Sequence, residues 1–258
     1  MQSPLRVGIA GARGRMGRAV IALVAERNDV ALAAATGRPG GGADASGGIA
    51  LTSIDEMLEA CEVVIDFSTA AASTDLARRA AERGGVALVL GATGFPDQDQ
   101  AAIAAAAGRV AIIKSGNFSL GLNVLAGLVR QAAARLSPED WDAEVLDWHH
   151  RRKIDAPSGT ALLLGEAIAQ GRGLSLSDVC EVGGRTGPRA QGAIGFAVLR
   201  GGGVVGEHTV ALAAEDETIT FSHSARDRGV FARGAIEAAL WVRDKPPGLY
   251  GMQAVLGF

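Results

Sequence analysis

Residues 149–161 read His-His-Arg-Arg-Lys-Ile-Asp-Ala-Pro-Ser-Gly-Thr-Ala. His149, His150 and Lys153 are side chains that can hand over a proton, and Arg151 and Arg152 add positive charge among them. A Pro-Ser-Gly-Thr turn follows and opens directly into the apolar run 161–168, which reads as a helix. The free N–H groups at such a helix start favour a carboxylate or a phosphate. His149 and His150 are adjacent on a presumed strand, so their side chains point to opposite faces and make poor joint ligands for one metal. With no cysteine and no third histidine nearby in the sequence, no metal site is expected. His149 and Lys153, four residues apart, can meet if the strand ends in a turn between them. Taken singly these residues have bland readings: a core or surface histidine, a solvated basic run. Taken together, cations on one side and N–H donors on the other suit a substrate with two carboxylates. Adding a nicotinamide makes the reaction class hydride transfer coupled to protonation.

The first half of the chain offers a place for that nicotinamide. Residues 5–10 are a short apolar strand, followed at once by Gly11-Ala12-Arg13-Gly14-Arg15-Met16-Gly17 and then by helical spacing over 18–27. Strand, glycine turn and helix are the context of a dinucleotide-binding loop, where glycine lets the backbone approach a pyrophosphate. The spacing is Gly-x-x-Gly-x-x-Gly, with Arg13 in the middle glycine position of the commoner motif, and a tight turn built only for packing is the competing reading. Arg13 and Arg15 are candidate phosphate contacts. A second strand over 30–35 ends in Thr36-Gly37-Arg38, where a carboxylate would hold the ribose of NAD. Gly37 and Arg38 stand there instead, which favours NADPH through its 2′-phosphate, with NADH still usable; an ordinary loop arginine is the competing reading of Arg38.

Further units follow: a Gly/Asp/Ser loop over 39–48, a capping box at Ser53 and Glu56, strands over 62–67, 86–90 and 110–113, and helices over 70–83 and 97–107. This alternation predicts a parallel sheet wound on both faces, whose ligands sit at the carboxyl ends of the strands. The Gly11 loop, 36–38, 91–95 and 115–118 all fall at those ends.

The second half changes pattern. A long amphipathic helix over 120–136 and a strand over 141–148 lead into the opening motif and its helix (158–170). Runs over 194–199, 204–213 and 218–224 then read as strands of a mainly antiparallel sheet. The fold class is therefore α/β: a parallel-sheet nucleotide domain over 1–119, completed by a helix within 229–258, and an α+β domain over 120–228. Oligomerisation is a natural way to cover the open face of such a sheet.

Composition describes a globular protein. The 258 residues are 48% hydrophobic but only 4% aromatic, so the core is built from small side chains. A net charge of −3 gives no reason to expect a nucleic acid or an anionic membrane as partner. No stretch approaches a membrane span, residues 1–6 lack the apolar core of a signal peptide, and Cys61 and Cys180 are isolated, so a cytoplasmic location is expected.

Residues 144–161, Glu-Val-Leu-Asp-Trp-His-His-Arg-Arg-Lys-Ile-Asp-Ala-Pro-Ser-Gly-Thr-Ala, resemble the signature of the 4-hydroxy-tetrahydrodipicolinate reductase (dihydrodipicolinate reductase) family. Segments 11–17, 91–95, 117–119 and 206–209 also resemble that family, so the likeness runs along essentially the whole chain. The resemblance implies a cytoplasmic homotetrameric oxidoreductase of lysine biosynthesis through diaminopimelate, with an N-terminal Rossmann domain and a C-terminal substrate and tetramerisation domain. It implies NAD(P)H-dependent reduction of 4-hydroxy-tetrahydrodipicolinate to tetrahydrodipicolinate. Carried over by position, His149 and Lys153 are the proton donors, and His150, Gly159 and Thr160 bind the dicarboxylate substrate. Gly11, Ala12, Arg13, Gly14, Arg15, Met16, Arg38, Gly91, Ala92, Thr93, Ser115, Gly116, Asn117 and Phe118 hold the cofactor, with Arg228 and Phe231 as further cofactor-side residues. Three positions depart from the pattern: Asp147 replaces glutamate, Gly37 replaces the acidic ribose contact, and Ala92 replaces a threonine. The alternatives are a related two-domain oxidoreductase acting on another amino-acid-derived imine or aldehyde, and a nucleotide sensor without turnover.

Overall fold

The computed structural model describes residues 3–37, 50–183 and 186–258. The expected loop over 39–48 and the candidate cofactor residue Arg38 lie outside them. The chain divides into two compact units, Met1–Leu120 with Arg228–Phe258, and Gly121–Asp227.

In the first unit the elements run β1 (Leu5–Ala10), α1 (Arg15–Ala25), β2 (Val30–Thr36), α2 (Ile54–Ala60), β3 (Val63–Asp66), α3 (Ala70–Arg83), β4 (Ala87–Leu90), α4 (Asp97–Ala107) and β5 (Ala111–Lys114). The six-stranded sheet has the order β11-β5-β4-β3-β1-β2 and is parallel throughout, β11 (Gly248–Tyr250) joining at the edge. β3 and β4 are buried along their whole length because both sheet faces are covered. Val7, Ile9, Ile65, Val89 and Ile113 face one side, against α1 and the returning helix α8 (Gly229–Val242). Val64, Leu88, Leu90 and Ile112 face the other, with residues of α2, α3 and α4. Gly234 of α8 lies so close to the carbonyl of Phe118 that any side chain there would collide with it.

Local chemistry sets the helix ends. Ser53 and Glu56 form a complete capping box on α2. Thr69 caps α3 by accepting from the N–H of Ala72, and Gly84, at φ 75°, stops that helix. The short β11 and the final helix α9 (Met252–Leu256) escape sequence reading, because segments of three and five residues carry no measurable periodicity.

The second unit holds α5 (Leu120–Ala133, its first residue belonging to the first unit), β6 (Asp142–His149), α6 (Gly159–Gly171), α7 (Leu176–Val179), β7 (Cys180–Val182), β8 (Ile194–Arg200), β9 (Gly206–Ala213) and β10 (Thr218–Ala225). Their sheet order is β10-β9-β6-β8-β7. The pairs β10/β9 and β9/β6 are antiparallel, whereas β6/β8 and β8/β7 are parallel, so the sheet is mixed. The parallel half arises because β6 and β8 are joined through helix α6 and not through a hairpin. One face is apolar: Ala143 and Val145 of β6, Ile194 and Phe196 of β8, and Val210 and Leu212 of β9 pack with Leu122 and Val129 of α5 and Leu164 and Ile168 of α6. Among the described residues no helix is long and apolar enough to cross a membrane.

Candidate functional site

In the first unit the strand order 2-1-3 places a topological switch point between β1 and β3, where a ligand crevice forms beyond the carboxyl ends. Gly11, at φ 75°, sits there, and a Cβ on it would come within 2.8 Å of the Phe67 carbonyl oxygen after β3. Gly17 packs on the same turn: a Cβ there would be driven into the Gly11 carbonyl oxygen. Glycine is required at both positions by close backbone approach. A cavity of about 690 Å³ opens beside this turn, lined by Gly11, Arg13, Gly14, Gly37, Ser53 and Ser68 among others. Arg13 leans over Gly37, its Cγ 3.6 Å and Cδ 3.7 Å from where a Cβ of residue 37 would be. Its backbone carbonyl accepts from Arg18 at 3.0 Å. The cavity, the Gly-rich turn and the exposed start of α1 fit a dinucleotide.

The other sequence-predicted cofactor residues occupy adjacent strand ends. Gly91 follows β4, its N–H donating to the Asp66 carbonyl at 2.8 Å, and a side chain there would strike the Phe67 ring. Ser115 follows β5; its Oγ donates to the Asn117 carbonyl at 2.7 Å and accepts the Asn117 N–H at 3.2 Å, which folds residues 115–117 into a tight turn. Thr93 and Gly116 face each other, the Thr93 methyl 3.8 Å from a Cβ on Gly116. Arg15 is exposed and Met16 half-buried at the start of α1. The side chains of Ala12, Ala92 and Phe118 are buried, and Ala12 and Phe118 belong to the hydrophobic core. What these three can offer a ligand is backbone.

In the second unit the alternation of β6 continues the core row Ala143, Val145 with Asp147 and His149, so two polar groups finish an apolar face. β9 does the same: Leu212 and Val210 are followed inward by His208, which lies directly opposite Asp147 in the sheet register, and by Gly206. On the other flank Arg200 of β8 lies opposite His149.

Asp147 is completely buried, and its carboxylate has several polar partners. Its Oδ1 accepts the Ser158 hydroxyl at 2.8 Å and its Oδ2 the Ser158 N–H at 2.8 Å. Arg200 donates to Oδ2 at 3.0 Å and to the Asp147 carbonyl at 3.1 Å. His149 Nδ1 lies 2.8 Å and His208 Nε2 3.3 Å from Oδ1. The His149 contact is off the axis of the ring N–H, so its strength is mainly electrostatic. Burial alone would push the Asp147 carboxyl up. The contacts from His149, His208 and Ser158 outweigh it and hold the group well below the usual carboxylate range.

Ser158 is the N-cap of α6; its hydroxyl also accepts the N–H of Ala161 at 3.2 Å. The turn before it contains a cis Ala156–Pro157 bond. Gly159 and Thr160 are the first residues of the helix, and the space beside Gly159 is open. The strand ends at His149, so His150 lies beyond it, half-buried, in the turn whose first bond is from Lys153 N–H to the His150 carbonyl at 3.0 Å. Lys153 is thereby directed to Asp155, both carboxylate oxygens lying 2.8–2.9 Å from Nζ. The lysine pairs with this aspartate, which holds the Asp155 carboxyl below its ordinary range.

Arg200 and His208 were not among the sequence-predicted site residues. His208 comes from a segment some sixty residues beyond His149, and the signals for it are the inward alternation of β9 and the family resemblance of residues 206–209. It also supplies the third histidine that sequence neighbours lack: one ligand atom from each of Asp147, His149 and His208 lies within 4.8 Å of the others. The same carboxylate also holds Ser158, and the Arg200 guanidinium sits on its second oxygen, so these groups form one buried ion cluster.

Comparison with known proteins decides the family. Residues 5–118 match the family described as "Dihydrodipicolinate reductase, N-terminus" and residues 121–256 that described as "Dihydrodipicolinate reductase, C-terminus". The chain belongs to the dihydrodipicolinate reductase family. It is 57% identical over 260 residues to the 4-hydroxy-tetrahydrodipicolinate reductase of Caulobacter vibrioides, covering 100% of this chain and 99% of that one. It is 50% identical over 266 residues to the enzyme of the same name from Rhizobium rhizogenes, covering 98% and 97%. Among solved structures, dipicolinate-bound dihydrodipicolinate reductase from Paenisporosarcina sp. TG-14 shares the fold, with a TM-score of 0.78 at 22% identity and coverage of 96% and 97%.

Proposed function

We propose that this protein is an NAD(P)H-dependent reductase that converts 4-hydroxy-tetrahydrodipicolinate to tetrahydrodipicolinate on the diaminopimelate route to lysine. Beyond family membership, the observation that carries this reading is the Asp147 cluster. One buried carboxylate holds both a histidine, His149, and the N-cap of α6, so a proton donor stands beside a helix start suited to an anionic ligand. When bound, the cofactor supplies a hydride. The chain's own residues supply the rest: His149 and Lys153 give the proton, and His150 with the Gly159 and Thr160 N–H groups and hydroxyl takes the substrate carboxylates. Asp155, bound to Lys153, keeps that ammonium in place until a dicarboxylate competes for it.

NADPH is the preferred cofactor and NADH a usable one. Gly37 leaves no carboxylate at the end of β2 to repel a 2′-phosphate, and the Arg13 stem lies over that position. Arg38 reinforces this on sequence grounds. The protein works as a homotetramer built through the second unit's sheet. On the face away from α5 and α6, Trp148 and Leu199 are 37% and 46% exposed, an apolar surface that a second copy would cover. The two free thiols fit a cytoplasmic setting.

A coupled assay tests the reading. The protein should oxidise NADPH, followed by its absorbance, only when freshly generated 4-hydroxy-tetrahydrodipicolinate is present. Absence of turnover by folded, NADPH-binding protein sinks it.

A further inference from the structure

Burying an aspartate costs several kcal/mol unless every lone pair is used. Asp147 uses both oxygens, and its partners come from four different segments: His149 on its own strand, His208 on β9, Arg200 on β8 and Ser158 at the head of α6. Two of those partners belong to the chemistry proposed above. Ser158 grips the carboxylate with its N–H on one oxygen and its hydroxyl on the other, which fixes the carboxylate plane. Arg200 closes the remaining side, and the same guanidinium nitrogen donates to the Asp155 carbonyl at 2.6 Å, tying down the turn that carries Lys153.

We propose that Asp147, braced by His208 and Arg200, is the positioning residue of the active site: it sets the tautomer and orientation of His149 and locks that ring to the N-terminus of α6. This rests on the reading of His149 as a proton donor. A negative oxygen 2.8 Å from Nδ1 favours the proton on that nitrogen. Nε2, at the other end of the ring, is then the atom that exchanges a proton with substrate. Gly206 leaves space beside it, since a Cβ there would lie 3.1 Å from Nε2. Because Ser158 is held by the same carboxylate, the distance from the donor to the carboxylate-binding turn is set by one group.

The experiment compares wild type with Asp147→Asn, Asp147→Glu and His149→Gln, reading kcat, KM for the dicarboxylate, the solvent isotope effect, Tm, and the His149 tautomer by imidazole nitrogen NMR. Asp147→Asn should lower kcat by about 10- to 1000-fold through the wrong tautomer while KM changes by less than about threefold. Its solvent isotope effect should rise, and neutral His149 should lose its Nδ1–H form. Asp147→Glu keeps the charge and should restore the Nδ1–H form and most of kcat, even if Tm falls. Equal losses in the Asn and Glu variants at equal Tm, or a folded Asn variant with wild-type kcat, overturn the proposal. If the Asn variant does not fold, the wild-type spectrum decides: His149 carrying its neutral-form proton on Nε2 overturns it. A His149→Gln enzyme with wild-type kcat defeats the donor reading itself, whereas an impaired His149→Gln beside an intact Asp147→Asn defeats only the positioning role.

Discussion

Gly206 and His149 are in close contact because the glycine has no side chain: a Cβ on Gly206 would stand 3.1 Å from His149 Nε2 and 3.4 Å from His208 Cε1. The first separation is tighter than ordinary van der Waals contact, so the His149 ring must yield by a few tenths of an ångström. Gly206→Ala should reduce kcat by about tenfold and Gly206→Val by about 100-fold, the scale on which an ångström of misplacement acts. Cofactor binding by the first unit should be unchanged. Steady-state kinetics alongside NADPH titration checks both.

Lys153 and Asp155 form an ion pair, of which the lysine is the proposed proton donor. Lys153→Ala should lower kcat by about two to four orders of magnitude, as should His149→Ala, the range for lost acid–base catalysis. Asp155→Asn removes only the tether. Its carboxylate is more than half exposed, and the expected loss is below about tenfold. A Lys153→Ala enzyme at wild-type rate would remove the lysine from the mechanism.

Gly37 should control cofactor choice. Among the described residues a Cβ there comes nearest to Leu51 and Arg13, at 3.5 and 3.6 Å, ordinary van der Waals contacts that admit Gly37→Asp. Its charge repels a 2′-phosphate and accepts a ribose hydroxyl, so the NADPH-to-NADH ratio of kcat/KM should fall by about tenfold or more. Arg13→Ala should shift the ratio in the same direction.

Gly17 is a structural counterpart. A methyl group at that position meets the Gly11 carbonyl and the Ala12 α-carbon at 2.7 Å, backbone that cannot step aside cheaply. Gly17→Ala should destabilise the first unit by about 1–3 kcal/mol and weaken NADPH binding. Thermal melting with and without NADPH reports both effects.

The thiols should differ in reactivity with pH. Burial pushes the Cys61 thiol up to about 11, and the nearby Arg6 offsets only part of this. The reactive species is the thiolate, present in full only above the thiol's pKa, so alkylation of Cys61 in folded protein should keep rising about tenfold per pH unit through pH 9 and 10. Cys180 is also raised by burial but is half-exposed, and should be labelled first at pH 8. Mass mapping after brief alkylation distinguishes the two; faster labelling of Cys61 would contradict its burial.

Much of the architecture follows from local pattern. The helices Ala70–Arg83 and Asp97–Ala107 were legible to the residue, because a Thr cap, a terminal glycine and acidic first-turn residues mark their ends. The glycine turn after β1 was legible because close backbone approach admits no other residue at Gly11 and Gly17. The start of α6 was legible from Pro157-Ser158-Gly159-Thr160, where Ser158 is the N-cap. These are properties of short segments, and a period or a cap is written within a dozen residues.

The tertiary structure decided which groups meet. That His208 lies opposite Asp147 is a matter of strand register between β6 and β9, and that Arg200 closes the far side is a matter of parallel pairing between β6 and β8. Lys153 pairs with Asp155 in the turn that follows the end of β6 at His149. No local pattern encodes such meetings, since each depends on how segments fifty or sixty residues apart bury their apolar faces together. Asp147 shows the division plainly: its place on an inward-facing strand position is in the sequence, but its role as the shared anchor of two histidines, an arginine and a helix cap exists only once the sheet has formed.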